Sequence, residues 1–177
     1  IILNSTGADT VVFGAGASGT LDTVTGFTAA SDILSISITG QTGSVLSNSN
    51  NTAVTAATDA VVKHISTATA SGAGTTLAAA DNIVILGGTL ANTGAVKAHI
   101  GTSNALITNT AFTAASDLVV VWSDNTDSYV SLVNDANGGA TATLVAAELT
   151  LVEVVKLVGV DAAELATFTA ADFAFAA

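Results

Sequence analysis

The residues in this chain best equipped for chemistry are aspartates. Asp9 lies in "NSTGADTVV" (Asn4–Val12), which matches the trailing half of the calcium nonapeptide Gly-Gly-x-Gly-x-Asp-x-apolar-x. Gly7, Asp9 and Val11 are in place, and Asn4 and Ser5 stand at the leading glycines. Asn tolerates the left-handed conformation such a turn needs. Asp22-Thr-Val24 and Asp32-Ile-Leu34 keep only the Asp-x-apolar part. Asp124 and Asp127 in "DNTD", and Asp135 in "NDANGG", cluster further oxygen ligands. A calcium loop starting at Asp135 needs a bidentate Glu at its twelfth position, where this chain has Ala146. Asp9, Asp22, Asp32, Asp124, Asp127 and Asp135 are therefore the candidate metal ligands, with calcium as the expected ion. At each position the competing reading is an Asx turn or cap, in which the short carboxylate binds nearby backbone N–H groups.

Other chemistry has little to work with. His64 and His99 are the only imidazoles, so a pair of metal-binding histidines at helical i, i+4 spacing is ruled out. There is no Gly-x-Ser-x-Gly elbow and no Cys to act as nucleophile. Gly14-Ala-Gly16-Ala-Ser-Gly19 has the spacing of a dinucleotide loop, but strand and turn residues follow it where a helix is required. Glu148 and Glu153, five apart on a strand, would face opposite sides of a sheet. The expectation is a protein without an active site.

Composition narrows the partners. The 177 residues include three Lys, no Arg and fourteen acids, for a net charge of −11. Such a chain repels phosphate backbones and anionic lipid, which argues against nucleic acid and membrane surfaces. Eleven acids are Asp and three are Glu, a bias that favours turns and caps over helical surfaces. Mean hydropathy is +0.66, yet the most apolar span, Leu144–Val160, is broken by Glu148, Glu153 and Lys156, so no membrane insertion is expected. The absence of Pro is consistent with export as an unfolded chain, because no slow prolyl isomerisation would follow. The start, "IILNSTG", has neither an initiator Met nor a charged n-region, and reads as part of a longer protein.

The elements that would position these acids are short and β-rich. Val11–Phe13, Thr23–Thr25 and Ile33–Ile38 read as strands between Gly-rich turns, the pattern of stacked coils in a β-roll. Gln41–Asp59 reads as a long polar loop, and Ala60–Ser66 and Asn82–Gly88 as strands. Thr89–Gly101 is the best short helix, with Gly101 as its stop. Asp117–Trp122 and Asp127–Asp135 form a hairpin, followed by a strand over Leu149–Val160, one helical turn at Asp161–Leu165 and a last strand in "DFAFA". A phrase recurs: "FTAASD" at Phe27–Asp32 and Phe112–Asp117, and "FTAAD" at Phe168–Asp172. The unequal spacing makes it a reused turn into a strand, not a solenoid period. The expected fold is mainly β. Parallel β-roll or solenoid-like coils over 1–40 lead into a β-sandwich-like domain over 41–177 with one or two short helices, and the two parts are allowed to merge into one domain.

Two stretches resemble a known family. "GADTVVFGAGASGTLDTVTGFTAASDILSIS" resembles the end of an RTX-type calcium β-roll, and the last fifty residues, from "DSYVSLVND" to "DFAFAA", resemble the C-terminal domains of RTX-like proteins exported by type I secretion. The resemblance implies an extracellular, Gram-negative protein, folding linked to calcium, and an export signal read by the type I secretion machinery. Surface-layer subunits, adhesins, proteases and lipases share such ends. The Ala/Thr/Gly/Val/Asp richness favours a self-assembling surface-layer or filament subunit, with further copies of itself and cell-surface polysaccharide as partners. The alternative is the C-terminal secretion and calcium module of an enzyme or adhesin.

Overall fold

The computed structural model describes residues 1–4, 6–14, 21–38, 45–66, 74–103, 106–108, 110–136 and 143–177. The fold is mainly β, as the short β-branched runs suggest. Strands β1 (Thr10–Gly14), β2 (Asp22–Thr25) and β3 (Ile33–Ser37) come first. They are followed by β4 (Val45–Leu46), β5 (Val62–Ser66), β6 (Thr75–Thr76) and β7 (Ile83–Thr89). Helix α1 (Thr93–Ala98) continues into a π-helical turn, His99–Ser103. The remaining elements are β8 (Leu106–Ile107), β9 (Ser116–Ser123), β10 (Asp127–Asp135), β11 (Leu149–Val158), α2 (Ala162–Leu165) and β12 (Phe173–Ala176).

A seven-stranded sheet runs β2-β11-β10-β9-β7-β5, with β4 also paired to β9. All eight residues of β9 are buried, because its run of apolar residues is covered on both faces. The pleat sends Leu118, Val120 and Trp122 into one core and Val119 and Val121 into the other. The core that takes Val119 and Val121 lies against a smaller sheet, β1-β3-β12, through Val11, Phe13, Leu34, Ile36, Phe173 and Phe175. The core on the opposite face is covered by α1, the π turn and the β6-β8 pair through Leu77, Val96, Ile100 and Leu106.

The N-terminal coils share both sheets with the end of the chain. Ile2 pairs with Thr25 and Thr10 with Ile33, each partner 23 residues further on and each pairing parallel. β2 then lies parallel to β11, and β3 parallel to β12. Ile2 with β1, β2 with β3, and β11 with β12 are thus three stacked rungs, each touching both sheets, the first through the Ile2 bridge.

Two expectations change. Within the stretch read as a loop, Val45–Leu46 is a short strand beside β9, and Ser47 bridges Ala53; Gln41–Ser44 lie outside the described residues. The helix is shorter than Thr89–Gly101, because Gly88 and Thr89 complete β7 and Asn92 caps the helix by accepting from Ala95 N–H. Gly101 does not end the helix in a left-handed turn. It sits in the π turn, where a Cβ would come 2.2 Å from the Ala146 nitrogen, so its role is close backbone packing.

Candidate functional site

The repeated phrase is a four-residue turn that begins after a buried apolar anchor and ends at a strand. In Phe168–Asp172, Thr169 N–H donates to Asp172 Oδ2 at 2.6 Å while Asp172 N–H donates back to Thr169 C=O at 3.2 Å. Leu77–Asp81 repeats this with Ala78 N–H on Asp81 Oδ2 at 2.8 Å and Asp81 N–H on Ala78 C=O at 3.0 Å. In Val54–Thr58 a hydroxyl replaces the carboxylate, and Thr55 N–H donates to Thr58 Oγ1 at 2.8 Å. Phe112–Ser116 closes through Thr113 Oγ1 and Ser116 Oγ at 2.8 Å, and Leu144–Glu148 through Glu148 N–H on Val145 C=O at 2.8 Å. Phe27–Asp32 holds one extra residue, absorbed by Ala30 at φ +65°, and closes with Thr28 N–H on Asp32 Oδ2 at 2.8 Å. The anchors Phe27, Val54, Leu77, Phe112, Leu144 and Phe168 are all buried.

Two of the closing carboxylates also join rungs. Asp172 Oδ1 accepts from Ala30 N–H at 2.5 Å, one rung up, and Asp32 Oδ1 accepts from Asp9 N–H at 3.0 Å, one rung further. Asp9 Oδ2 closes its own turn weakly with Asn4 N–H at 3.3 Å. Asp32 and Asp172 are only 2% and 1% exposed, and their partners are backbone N–H groups together with the Thr169 hydroxyl on Asp172. An open cleft of about 400 Å³, lined by Thr6, Gly7, Ala8, Thr28, Ala30 and Ser31, runs beside this ladder.

A second cluster fastens the β9–β10 hairpin to the end of β11. Asp124 Oδ1 accepts from the N–H groups of Thr126 and Asp127, both at 2.8 Å, and Asp124 Oδ2 from the Tyr129 hydroxyl at 3.0 Å. Asp127 Oδ1 accepts from Gly159 N–H at 2.8 Å, and its Oδ2 pairs with Lys156 Nζ at 2.6 Å. The Asp127 N–H holds the Asp124 carboxyl below the usual carboxylate range, and the Lys156 ammonium does the same to Asp127. Asp127 in turn raises Lys156. Burial raises the Tyr129 phenol, with the Asp124 hydrogen bond adding to it. Tyr129 stacks on Trp122 with ring centroids 4.5 Å apart, and the Trp122 indole N–H donates to Ser131 Oγ at 3.0 Å.

The six expected calcium ligands thus fall into separate settings. Asp9 and Asp32 are neighbours in the ladder, Asp124 and Asp127 share the hairpin cluster, Asp22 is exposed on β2, and Asp135 is buried at the end of β10 opposite Leu149. Asn137 and Gly138 of the Asp135 loop, and Ala15–Gly19 of the glycine-rich stretch, lie outside the described residues. Among the described residues no three acidic or imidazole side chains are grouped to hold an ion. Calcium needs six or more oxygens, whereas the oxygens of Asp32, Asp124 and Asp127 already take N–H, hydroxyl or ammonium donors.

Asp172, Asp81, Lys156 and Tyr129 were not singled out from the sequence, although Asp172 closes the third copy of the repeated phrase. Among the described residues no helix is long and apolar enough to cross a membrane. Comparison with protein families, with characterised proteins and with solved structures finds no match.

Proposed function

We propose that this chain is a structural, self-assembling extracellular protein, a surface-layer or surface-filament subunit of RTX-like kind whose assembly is linked to calcium. The observation that carries the reading is the use made of the acids: the buried carboxylates of Asp32 and Asp172 close turns and tie successive rungs together by accepting from the N–H groups of Asp9 and Ala30. Calcium acts as a bridge between acidic surfaces of neighbouring copies, which otherwise repel at net charge −11. Extracellular calcium modules bind at about 10⁻⁴–10⁻³ M, so the chain stays dispersed until it reaches calcium outside the cell. Type I secretion machinery delivers it, and cell-surface polysaccharide is its anchor.

Light scattering during a calcium titration followed by chelator, with circular dichroism in parallel, tests this. Particle growth that chelator reverses supports the subunit. A β signal that sharpens while the chain stays small favours instead a secretion or adhesin module.

A further inference from the structure

We infer that Trp122, Tyr129 and Asp124 form a relay for one-electron oxidation, in which a radical created on either ring settles on Tyr129 as the phenol proton moves to the Asp124 carboxylate. Tyr129 is the site at which oxidative modification of this chain collects, and the co-reactant is a one-electron oxidant such as an oxygen-centred radical. This role goes beyond the assembly reading and stands without it.

Composition leaves oxidation few places to go. The chain has one Trp, one Tyr, no Cys and no Met, so its readily oxidised side chains are a single pair. The fold brings that pair together. Trp122 on β9 and Tyr129 on β10 are directly opposite in the antiparallel ladder, with ring centroids 4.5 Å apart and planes 18° from parallel. An aromatic cross-strand pair stabilises a sheet by packing alone. What packing does not require is the surroundings, which give the two rings different fates on losing an electron.

The indole is 2% exposed, in the same core as Leu118, Val120 and Val133, and its N–H donates to Ser131 Oγ at 3.0 Å. A hydroxyl is a neutral acceptor and a poor base, so an oxidised indole keeps its proton and its positive charge. An unpaired charge buried in apolar surroundings is costly. Tyr129 is half-buried, and its hydroxyl donates to Asp124 Oδ2 at 3.0 Å. The N–H groups of Thr126 and Asp127, both 2.8 Å from Asp124 Oδ1, hold that carboxylate in place. Lys156 Nζ sits over the phenol ring, 5.7 Å from its centroid. That ammonium opposes positive charge on the ring, so the phenol loses its proton together with its electron.

An oxidant that takes one electron from Trp122 leaves an indole radical cation. Tyr129 gives one electron to the indole and its hydroxyl proton to Asp124 Oδ2. The products are a neutral indole, a neutral phenoxyl radical and a carboxylic acid, with no charge left in the core. Direct attack on the half-buried phenol ends at the same radical. A one-electron reductant in solvent restores the phenol, and Asp124 returns the proton.

Laser flash photolysis of the native chain tests the relay, in chelator so that no cation competes for Asp124. Light that indole absorbs and phenol does not, with a cobalt(III) ammine as electron acceptor, starts the radical on Trp122. The indole radical signal should decay into a phenoxyl signal at a rate independent of protein concentration, and more slowly in heavy water. In Tyr129→Phe the indole radical should persist with no phenoxyl growth. Asp124→Asn keeps an acceptor oxygen but removes the base, and should slow the transfer by roughly a hundredfold. The comparison of light and heavy water uses the native chain alone, so it holds even where a variant fails to fold. A native indole radical that decays without phenoxyl growth, a transfer rate that rises with protein concentration, equal rates in light and heavy water, or a folded Asp124→Asn that transfers at the native rate would each overturn the relay.

Discussion

Asp172→Ala isolates what the carboxylate ladder contributes. Asp172 is 1% exposed and accepts from Thr169 N–H, Thr169 Oγ1 and Ala30 N–H, the last across rungs. Truncation removes the acceptor from two backbone donors held in part-buried hydrogen bonds. Each hydrogen bond to an ionised group contributes about 1.5–3 kcal/mol, so the loss should be roughly 3–5 kcal/mol. A domain of this kind has only about 5–15 kcal/mol in total. With a urea slope of about 2–3 kcal/mol/M the midpoint should fall by about 1–2 M. Asp172→Asn keeps one acceptor oxygen and should lose about half as much. Thr58→Ala removes the equivalent closure from an exposed turn with a neutral acceptor, and should cost about 1 kcal/mol. Urea unfolding followed by the fluorescence of Trp122, the chain's only tryptophan, measures all three. If Asp172→Ala were no worse than Thr58→Ala, the carboxylates would not be what holds the rungs together.

Further expectations follow from single sites. Asp124 and Asp127 have depressed folded-state pKa values, so their stabilisation is full above the ordinary carboxylate value of 3.8 and fades as pH falls through the lower folded values. Lys156→Met should weaken that acid dependence, seen as a shallower fall of the thermal midpoint below pH 4. His99 is buried, its Nε2 has no hydrogen-bond partner among the described residues, and burial lowers its pKa from 6.5. Its neutral form is favoured on folding, so stability should decline as pH drops below 6.5 toward the folded value, and His99→Leu should flatten that slope in melts between pH 7 and pH 5. Gly101→Ala drives a Cβ into the Ala146 backbone and should cost about 3 kcal/mol or more, whereas Gly159→Ala, at φ +82° with open space around it, should cost only about 1–2 kcal/mol. The reverse ranking in urea would discredit the packing of the π turn.

The strands were readable because β-branched runs such as "DLVVVW" and "NIVIL" lie between turn residues, and period 2 survives in both cores. Their partners were not. The parallel pairs β2–β11 and β3–β12 join residues more than 130 positions apart, and alternation carries no information about which strand lies alongside. The turn device was visible in the three copies that spell Phe-Thr-Ala-Ala. It was invisible in Val54–Thr58, Leu77–Asp81 and Leu144–Glu148, where anchor and closing residue change while the turn stays. The aspartates showed where turns fall, but the same short carboxylate suits a metal and a backbone N–H equally. Only the fold reveals that Asp32, Asp124 and Asp127 have taken backbone and side-chain donors. Val45–Leu46 was lost in its polar surroundings because two residues are too few to show a period.

The most direct test of a self-assembling subunit is electron microscopy of the purified chain after dialysis into millimolar calcium and, separately, into chelator. The account predicts sheets or filaments with a regular repeat in calcium and dispersed small particles in chelator. Dispersed particles in both, at concentrations where the chain is folded, would contradict it.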